Sequence, residues 1–511
     1  MSEPAAAHRQ REFGPWMAAA AAFLYALACA SGIAGLGDTD PYRHLAYAHA
    51  LWISRFALHG FPFLPFTTLG TTGVDLWWGF HLFLIPFSGL GVIWGARIAG
   101  ACIAALATGG LAWLLRRLGQ RHGALFALAP WAFSYSYAFR GHLARPGFLT
   151  LPLILFGLAA GAGELPAGFA LAAAFAHGLL HLSSPLSPFY VLLGLTGARL
   201  AGAKGSSRAL LWSIGGLGLA FLLRPDRALY LPVAFLLNVD ALGILAKASR
   251  FGGQELLALP LRDLFFESGA GFALLAISVA AGFGRERAGS RPLRFAAALA
   301  LVVTTLLTLR TARFLEYGLA LIALTAGLYW PKDGLRGMRA RVLVGAATLA
   351  LIVLAIRNVR MAGEEGSLIG PPALYEGLAK AVRAEVPPGS MLFTDDVFRT
   401  GAVYASLPEY RYIVMADPAL LLTASPIDYY RWSHAVHDGT FCDAPSCPGA
   451  RASPRLLARA IASFGADWII TSEPARISPM VATMLRAPQL YKPVYAAQAG
   501  EEGYVLWHLE P

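Results

Sequence analysis

Gly37-Asp38-Thr39-Asp40-Pro41-Tyr42-Arg43-His44 stands directly behind the apolar run 16–36. Two acids, an arginine and a histidine therefore gather at the end of a stretch long enough to cross a bilayer. Ionisable groups beside hydrocarbon are costly to keep, so the cluster marks a candidate functional site. The plainer reading is a helix that ends in polar residues where it meets water. The rest of the chain decides between them.

Of the 511 residues 57% are hydrophobic and 14% charged, and the mean hydropathy is +0.55. A soluble fold of this size has no use for so much apolar surface, so the composition reads as a multispanning α-helical membrane protein. The formal charge of +11 does not point to nucleic acid, because the basic residues lie in short loops between apolar runs rather than along one stripe. Arg9 and Arg11 precede the first run with no small-residue cleavage site, which reads as an uncleaved first span. Cys29 and Cys102 lie in apolar spans. Cys442 and Cys447 lie close together in a polar segment, where a disulfide forms if that segment is extracytoplasmic.

Eleven runs read as spans: 16–36, 93–115, 122–139, 147–161, 166–182, 187–203, 208–223, 267–284, 295–310, 314–330 and 341–357. Alternate loops are short and basic, with Arg116, Arg117 and Arg121, then Arg199, Lys204 and Arg208, then Arg285, Arg287, Arg291 and Arg294, then Lys332, Arg336, Arg339 and Arg341. The positive-inside rule puts these loops and the N-terminus in the cytoplasm. The intervening segments 37–92, 140–146, 183–186, 224–266 and 311–313, with everything after 358, then fall outside. Within them, 42–57 has the spacing of an interfacial helix. Residues 74–88 and 228–250 read as segments perched at the outer leaflet, with Trp77 and Trp78 at the interface. Residues 1–357 thus form a membrane domain with large outer loops 37–92 and 224–266. Residues 358–511 alternate strand-like and helix-like runs, as in an extracytoplasmic α/β domain.

The outer face collects Asp38, Asp40 and His44, then Arg140, His142 and Arg145, then His181, Glu255, Arg310 and Arg313. Arginines hold phosphate through paired hydrogen bonds, and a carboxylate can take a proton from an attacking hydroxyl or hold a metal ion. Each has a plainer role. His177 and His181 suit interhelical hydrogen bonding, Arg140 and Arg145 suit headgroup anchoring, Glu255 suits a solvated face, and Asp395 and Asp396 suit a turn or helix cap.

An N-terminal span followed at once by Asp-Pro-Tyr and a helix opening with His resembles the GT-C membrane glycosyltransferases, in particular the catalytic subunit of oligosaccharyltransferase and its archaeal and bacterial relatives. ALAPWAFSYSYAFRGHLARPG resembles that family's third span and second outer loop, FGGQELLALPLRDLFF its long later loop, and Arg313 its phosphate-holding arginine. The resemblance implies a polyprenyl-phosphate or -diphosphate sugar donor used at the outer face. It makes Asp40 and Glu255 the catalytic candidates and Arg313, Arg145, Arg140, His44 and His181 the substrate-binding ones. It also implies a divalent ion, Mg or Mn, for which Asp40, Asp38 and His142 are the candidate ligands. Two departures stand against parts of this. The second loop reads Ala144-Arg145-Pro146 where the family carries acids, and the Trp-Trp-Asp-Tyr-Gly motif that reads Asn-X-Ser/Thr acceptors is missing.

The reading that follows is glycosyl transfer to an extracytoplasmic glycan, lipid or protein acceptor in a bacterial inner membrane, a home to which the Ala-, Gly-, Leu- and Arg-rich composition points. The alternatives are a carrier or flippase of lipid-linked sugars, or a glycan-binding protein of the same architecture that no longer turns its ligand over.

Overall fold

The computed structural model describes residues 14–510 apart from 59, 243–257, 288, 333–337, 366–368, 416, 473–477 and 498–502. Each apolar run falls on helix: α1 Pro15–Ser31, α5 Val92–Arg117, α6 Gly123–Phe133 with α7 Tyr135–Gly141, α8 Pro146–Gly161, α9 Ala167–Leu180, α10 Leu186–Leu200 and α11 Ser207–Leu223. The later ones are α13 Leu261–Ala281, α14 Arg291–Arg310, α15 Leu315–Tyr329 and α16 Met338–Glu365. Among the described residues, four helices are long and apolar enough to cross a membrane: Val92–Arg117, Leu261–Ala281, Arg291–Arg310 and Gly345–Glu364. The pair α7 and α8 also passes but bends by 110° at its break, where Pro146 starts the new helix. The remaining apolar helices are shorter. The chain is a multi-pass membrane protein.

Small residues let these helices approach closely, as expected where lipid supplies no hydrophobic drive for helix association. Ala18, Ala22, Ala26 and Ala30 are the buried face of α1, which packs on α5. On α5, a Cβ at Gly100 would lie 2.1 Å from the carbonyl oxygen of His142, so the second loop can sit there only over glycine.

The outer loops fold as helices too. α2 Thr39–Ile53 opens the first, followed by α3 Thr68–Thr72 and α4 Trp78–Ser88, and α12 Arg227–Leu242 opens the later one. Trp77 departs from its expected place at the interface: it is 8% exposed, with its ring edge-on to His44.

After α17 Glu376–Glu385 the chain forms a five-stranded sheet of order β2-β1-β3-β5-β4, from β1 Met391–Thr394, β2 Arg411–Tyr412, β3 Trp468–Ser472, β4 Tyr491–Ala496 and β5 Tyr504–Leu509. β1 is parallel to β2 and β3, and β5 is antiparallel to β3 and β4. Period-2 alternation gives the sheet two buried faces. Leu392, Ile470, Tyr504 and Leu506 join the apolar core of the helical bundle. Met391, Phe393, Ile469, Val505, Trp507 and Leu509 face a second core containing α20 Pro426–Asp438 and α21 Pro454–Ala462. Between strands, α18 Thr400–Ser406 packs on α2. Tyr412 N donates to Phe63 O at 2.7 Å, Thr68 Oγ1 to Leu420 O at 3.0 Å, and Phe63 stacks on Tyr404 at 4.2 Å. The α/β region therefore rests on the loop that carries Asp40. Cys442 and Cys447 are joined as a disulfide.

Candidate active site

Asp38 caps α2 by accepting from Asp40 N at 3.1 Å, which turns the following residues into the first helical turn. Arg43, one turn later, donates through Nη2 to Asp40 Oδ1 at 2.8 Å. Arg145, held at the bend before α8, pairs with Asp38 and lies 3.4 Å from Asp40 Oδ2. Both Asp40 oxygens thus face guanidinium groups, one from its own helix and one from the second loop.

These residues open onto a cavity of about 380 Å³. Asp40, His44, Arg140, Arg145, His181 and Arg313 all line it, so six of the candidates read from sequence meet in one place. Leu182, Leu186, Phe189, Leu307 and Phe314 supply an apolar side. A polar end bearing arginines and an apolar wall suit a ligand that is anionic at one end and lipid-like at the other.

Two candidates are placed elsewhere, and one lies outside the described residues. Asp38 contacts Arg145 but does not line the cavity. His142 is buried beside Arg97 in a separate small cleft, with Nδ1 3.2 Å from the carbonyl of Ala138. Glu255 falls in the segment 243–257 that is not described. Among the described residues no three His, Cys, Asp or Glu side chains come together to hold a metal ion. The described donor set does not suit one, because Arg145 already brings its cation to the carboxylates of Asp38 and Asp40.

Several site residues were not singled out in the sequence. Glu316 pairs with Arg140 and lines the cavity with Ser183, Asn238 and Tyr317. An acid three residues after Arg313, in the first turn of α15, was the available signal. His81 and Asp75 lie behind His44, with His81 Nδ1 2.7 Å from Asp75 Oδ2, and their only mark in the sequence was polarity inside an apolar segment. His177 bonds Ser187 at 2.8 Å and Ser183 at 2.9 Å, as the hydrogen-bonding reading expects. Asp396 accepts from Phe398 N at 2.9 Å and so caps a turn, as expected of it.

No family model and no curated protein matches the sequence. Solved structures do. The chain is similar to ArnT from Cupriavidus metallidurans in the apo state, at 14% identity over 96% of this chain and 97% of that one, with a TM-score of 0.56. It is similar to the Archaeoglobus fulgidus oligosaccharyltransferase in the apo form, at 12% identity over 91% and 70%, with a TM-score of 0.60. It is also similar to the arabinofuranosyltransferase AftD from Mycobacteria, at 15% identity over 97% of this chain and 41% of that one, with a TM-score of 0.56. At these identities the likeness is one of architecture: the chain has the fold of the GT-C membrane glycosyltransferases.

Proposed function

We propose that the protein is a membrane glycosyltransferase that moves a sugar from a polyprenyl-phosphate-linked donor to a hydroxyl of an extracytoplasmic acceptor. The observation that carries this reading is the single cavity in which Asp40, His44 and three arginines face an apolar wall. The similar structures include ArnT bound to undecaprenyl phosphate and an archaeal oligosaccharyltransferase with a dolichol-phosphate, which supports a lipid phosphate as the donor's carrier. In this reading the N-terminus is cytoplasmic, and the cavity and the α/β region face outward in a bacterial inner membrane.

Asp40 takes the proton of the acceptor hydroxyl as its oxygen attacks the anomeric carbon, and the carbon–phosphate-oxygen bond breaks on the opposite side with inversion. Arg313, Arg140 and Arg145 carry the charge that grows on the departing phosphate. Arg43 and Arg145 orient the two oxygens of Asp40. No step requires a metal, since the carboxylates that would hold one are engaged by arginine. Glu255 is the second carboxylate proposed. Asn238, on the helix leading to its segment, lines the cavity.

The test supplies purified protein in membranes with a pool of radiolabelled undecaprenyl-linked sugars and membrane acceptors, with and without EDTA. Label transfer unaffected by EDTA is expected. Donor binding without transfer contradicts the enzyme reading and leaves a carrier or a non-catalytic glycan binder.

A further inference from the structure

Behind Asp40 runs a line of buried polar groups that continues past Arg43 and His44 to residues the proposed transfer does not use. Arg43 Nη2 lies 2.8 Å from Asp40 Oδ1 and 3.4 Å from His44 Nε2. His44 Nδ1 lies 2.8 Å from His81 Nε2, and His81 Nδ1 lies 2.7 Å from Asp75 Oδ2. Arg43, His44, His81 and Asp75 are all at most 4% exposed.

The two ends of this line fix its polarity. A guanidinium only donates and a carboxylate only accepts. His44 Nε2 must therefore accept from Arg43, which leaves His44 Nδ1–H to donate to His81 Nε2, and His81 Nδ1–H to donate to Asp75. One assignment satisfies all three contacts, with both rings neutral. An added proton on either ring sets two donors face to face, and burial makes that worse.

The far end is held from three sides. Asp75 Oδ1 accepts from Trp77 N at 3.0 Å, Asp75 N donates to Asp226 Oδ2 at 3.0 Å, and Arg224 donates both to the Asp75 carbonyl and to Asp226. Arg224 also lies over the ring of Tyr230, 3.6 Å from its centre. The segment following α11 thus braces Asp75.

We propose that Asp75, His81 and His44 form a tautomer-locked relay that positions Arg43 against Asp40. One hydrogen of Arg43 Nη2 meets His44 Nε2 and the other is thereby aimed at Asp40 Oδ1. Asp75 and His81 are positioning residues, and they tie the setting of Asp40 to the two outer segments that carry them and Asp226. The proposal rests on the reading of Asp40 as the base.

The test uses full-length protein labelled with ¹⁵N-histidine in nanodiscs, with His44 resonances assigned by their loss in His44→Gln. His44 with Nδ1 protonated and Nε2 bare is expected, because Arg43 can only donate to Nε2. A wild-type His44 protonated on Nε2 overturns the relay. Kinetics supply the second readout, with melting curves confirming folding. Asp75→Asn and His81→Leu should lower kcat about ten- to hundred-fold, as loss of outer-shell support does, with donor KM unchanged. His81→Gln, which can accept and donate in the same sense, should stay within about threefold. Equal losses in Gln and Leu reduce His81 to packing and overturn the proposal. Full activity in Asp40→Asn sinks the base reading instead, while the tautomer still decides the relay.

Discussion

The backbone N–H of Gly401 donates to the hydroxyl of Thr39 at 3.0 Å, fastening the α/β region to the residue that stands between Asp38 and Asp40. A Cβ at Gly401 would lie 2.0 Å from Thr39 Oγ1 and 2.7 Å from the Thr39 carbonyl oxygen. Gly401→Ala must therefore push α18 away from α2, at a cost of about 1–3 kcal/mol for overpacking. We expect a lower melting temperature together with reduced turnover. Gly345→Ala, where nothing lies within 4 Å of the added carbon, should change neither.

Arg145 reaches both carboxylates through one nitrogen, Nη2, held in place by a rigid planar guanidinium. Lysine carries its charge on a flexible stem that is less firmly held between the two acids. Arg145→Lys should therefore lower kcat about tenfold or more, and Arg145→Met further. Both are to be read from single-turnover rates at saturating donor. Equal activity in wild type and Arg145→Lys would show that charge alone suffices.

Glu316 offsets the charge of Arg140 inside the cavity. In Glu316→Gln that offset is lost, and an anionic lipid gains it. Undecaprenyl phosphate should bind roughly fivefold tighter, corresponding to about 1 kcal/mol, while the protein melts at a lower temperature because Arg140 is left without its acid. Titration of the lipid against intrinsic fluorescence gives both.

Burial, followed by the neighbouring Asp396, raises the Asp395 carboxyl from 3.8 to about 7, against a backbone bond from Ser472 N that lowers it. The folded state then holds a proton that the unfolded chain releases. Its stabilising contribution is complete below pH 3.8 and is lost as pH rises through about 7. Asp395→Asn should flatten the melting temperature across that window and gain most over wild type at pH 8. A parallel offset at every pH would contradict the assignment.

The helical layout was legible because apolar runs interrupted by basic loops leave few alternatives in a membrane. Asp40, His44, Arg140, Arg145, His181 and Arg313 were legible because ionisable groups at the ends of apolar runs stand out, and the cavity brings them together. His142 was drawn in by its nearness to Arg145 in sequence, but the turn between α7 and α8 sends it to the opposite side, against Ala138 and Arg97. Asp75 and His81 lie six residues apart, but the contacts that tie the pair to the site run to Asp226 and His44, 151 and 37 residues away, and no local spacing reports those. The apolar neighbours of Trp77 in sequence read as those of an interfacial anchor. The burial of Trp77 follows from packing against Arg43, His44 and Phe61 of the same outer loop, a tertiary effect. Glu255 lies outside the described residues.

The central claim is that Asp40 takes the acceptor's proton. Its most direct test compares wild type, Asp40→Asn and Asp40→Glu for label transfer from radiolabelled undecaprenyl-linked sugars, alongside donor binding and melting temperature. Asp40→Asn should bind donor and fold as wild type does yet lose transfer by about a hundredfold or more, within the range for removing a general base, and Asp40→Glu should recover part of it. Transfer by Asp40→Asn at the wild-type rate would contradict the account.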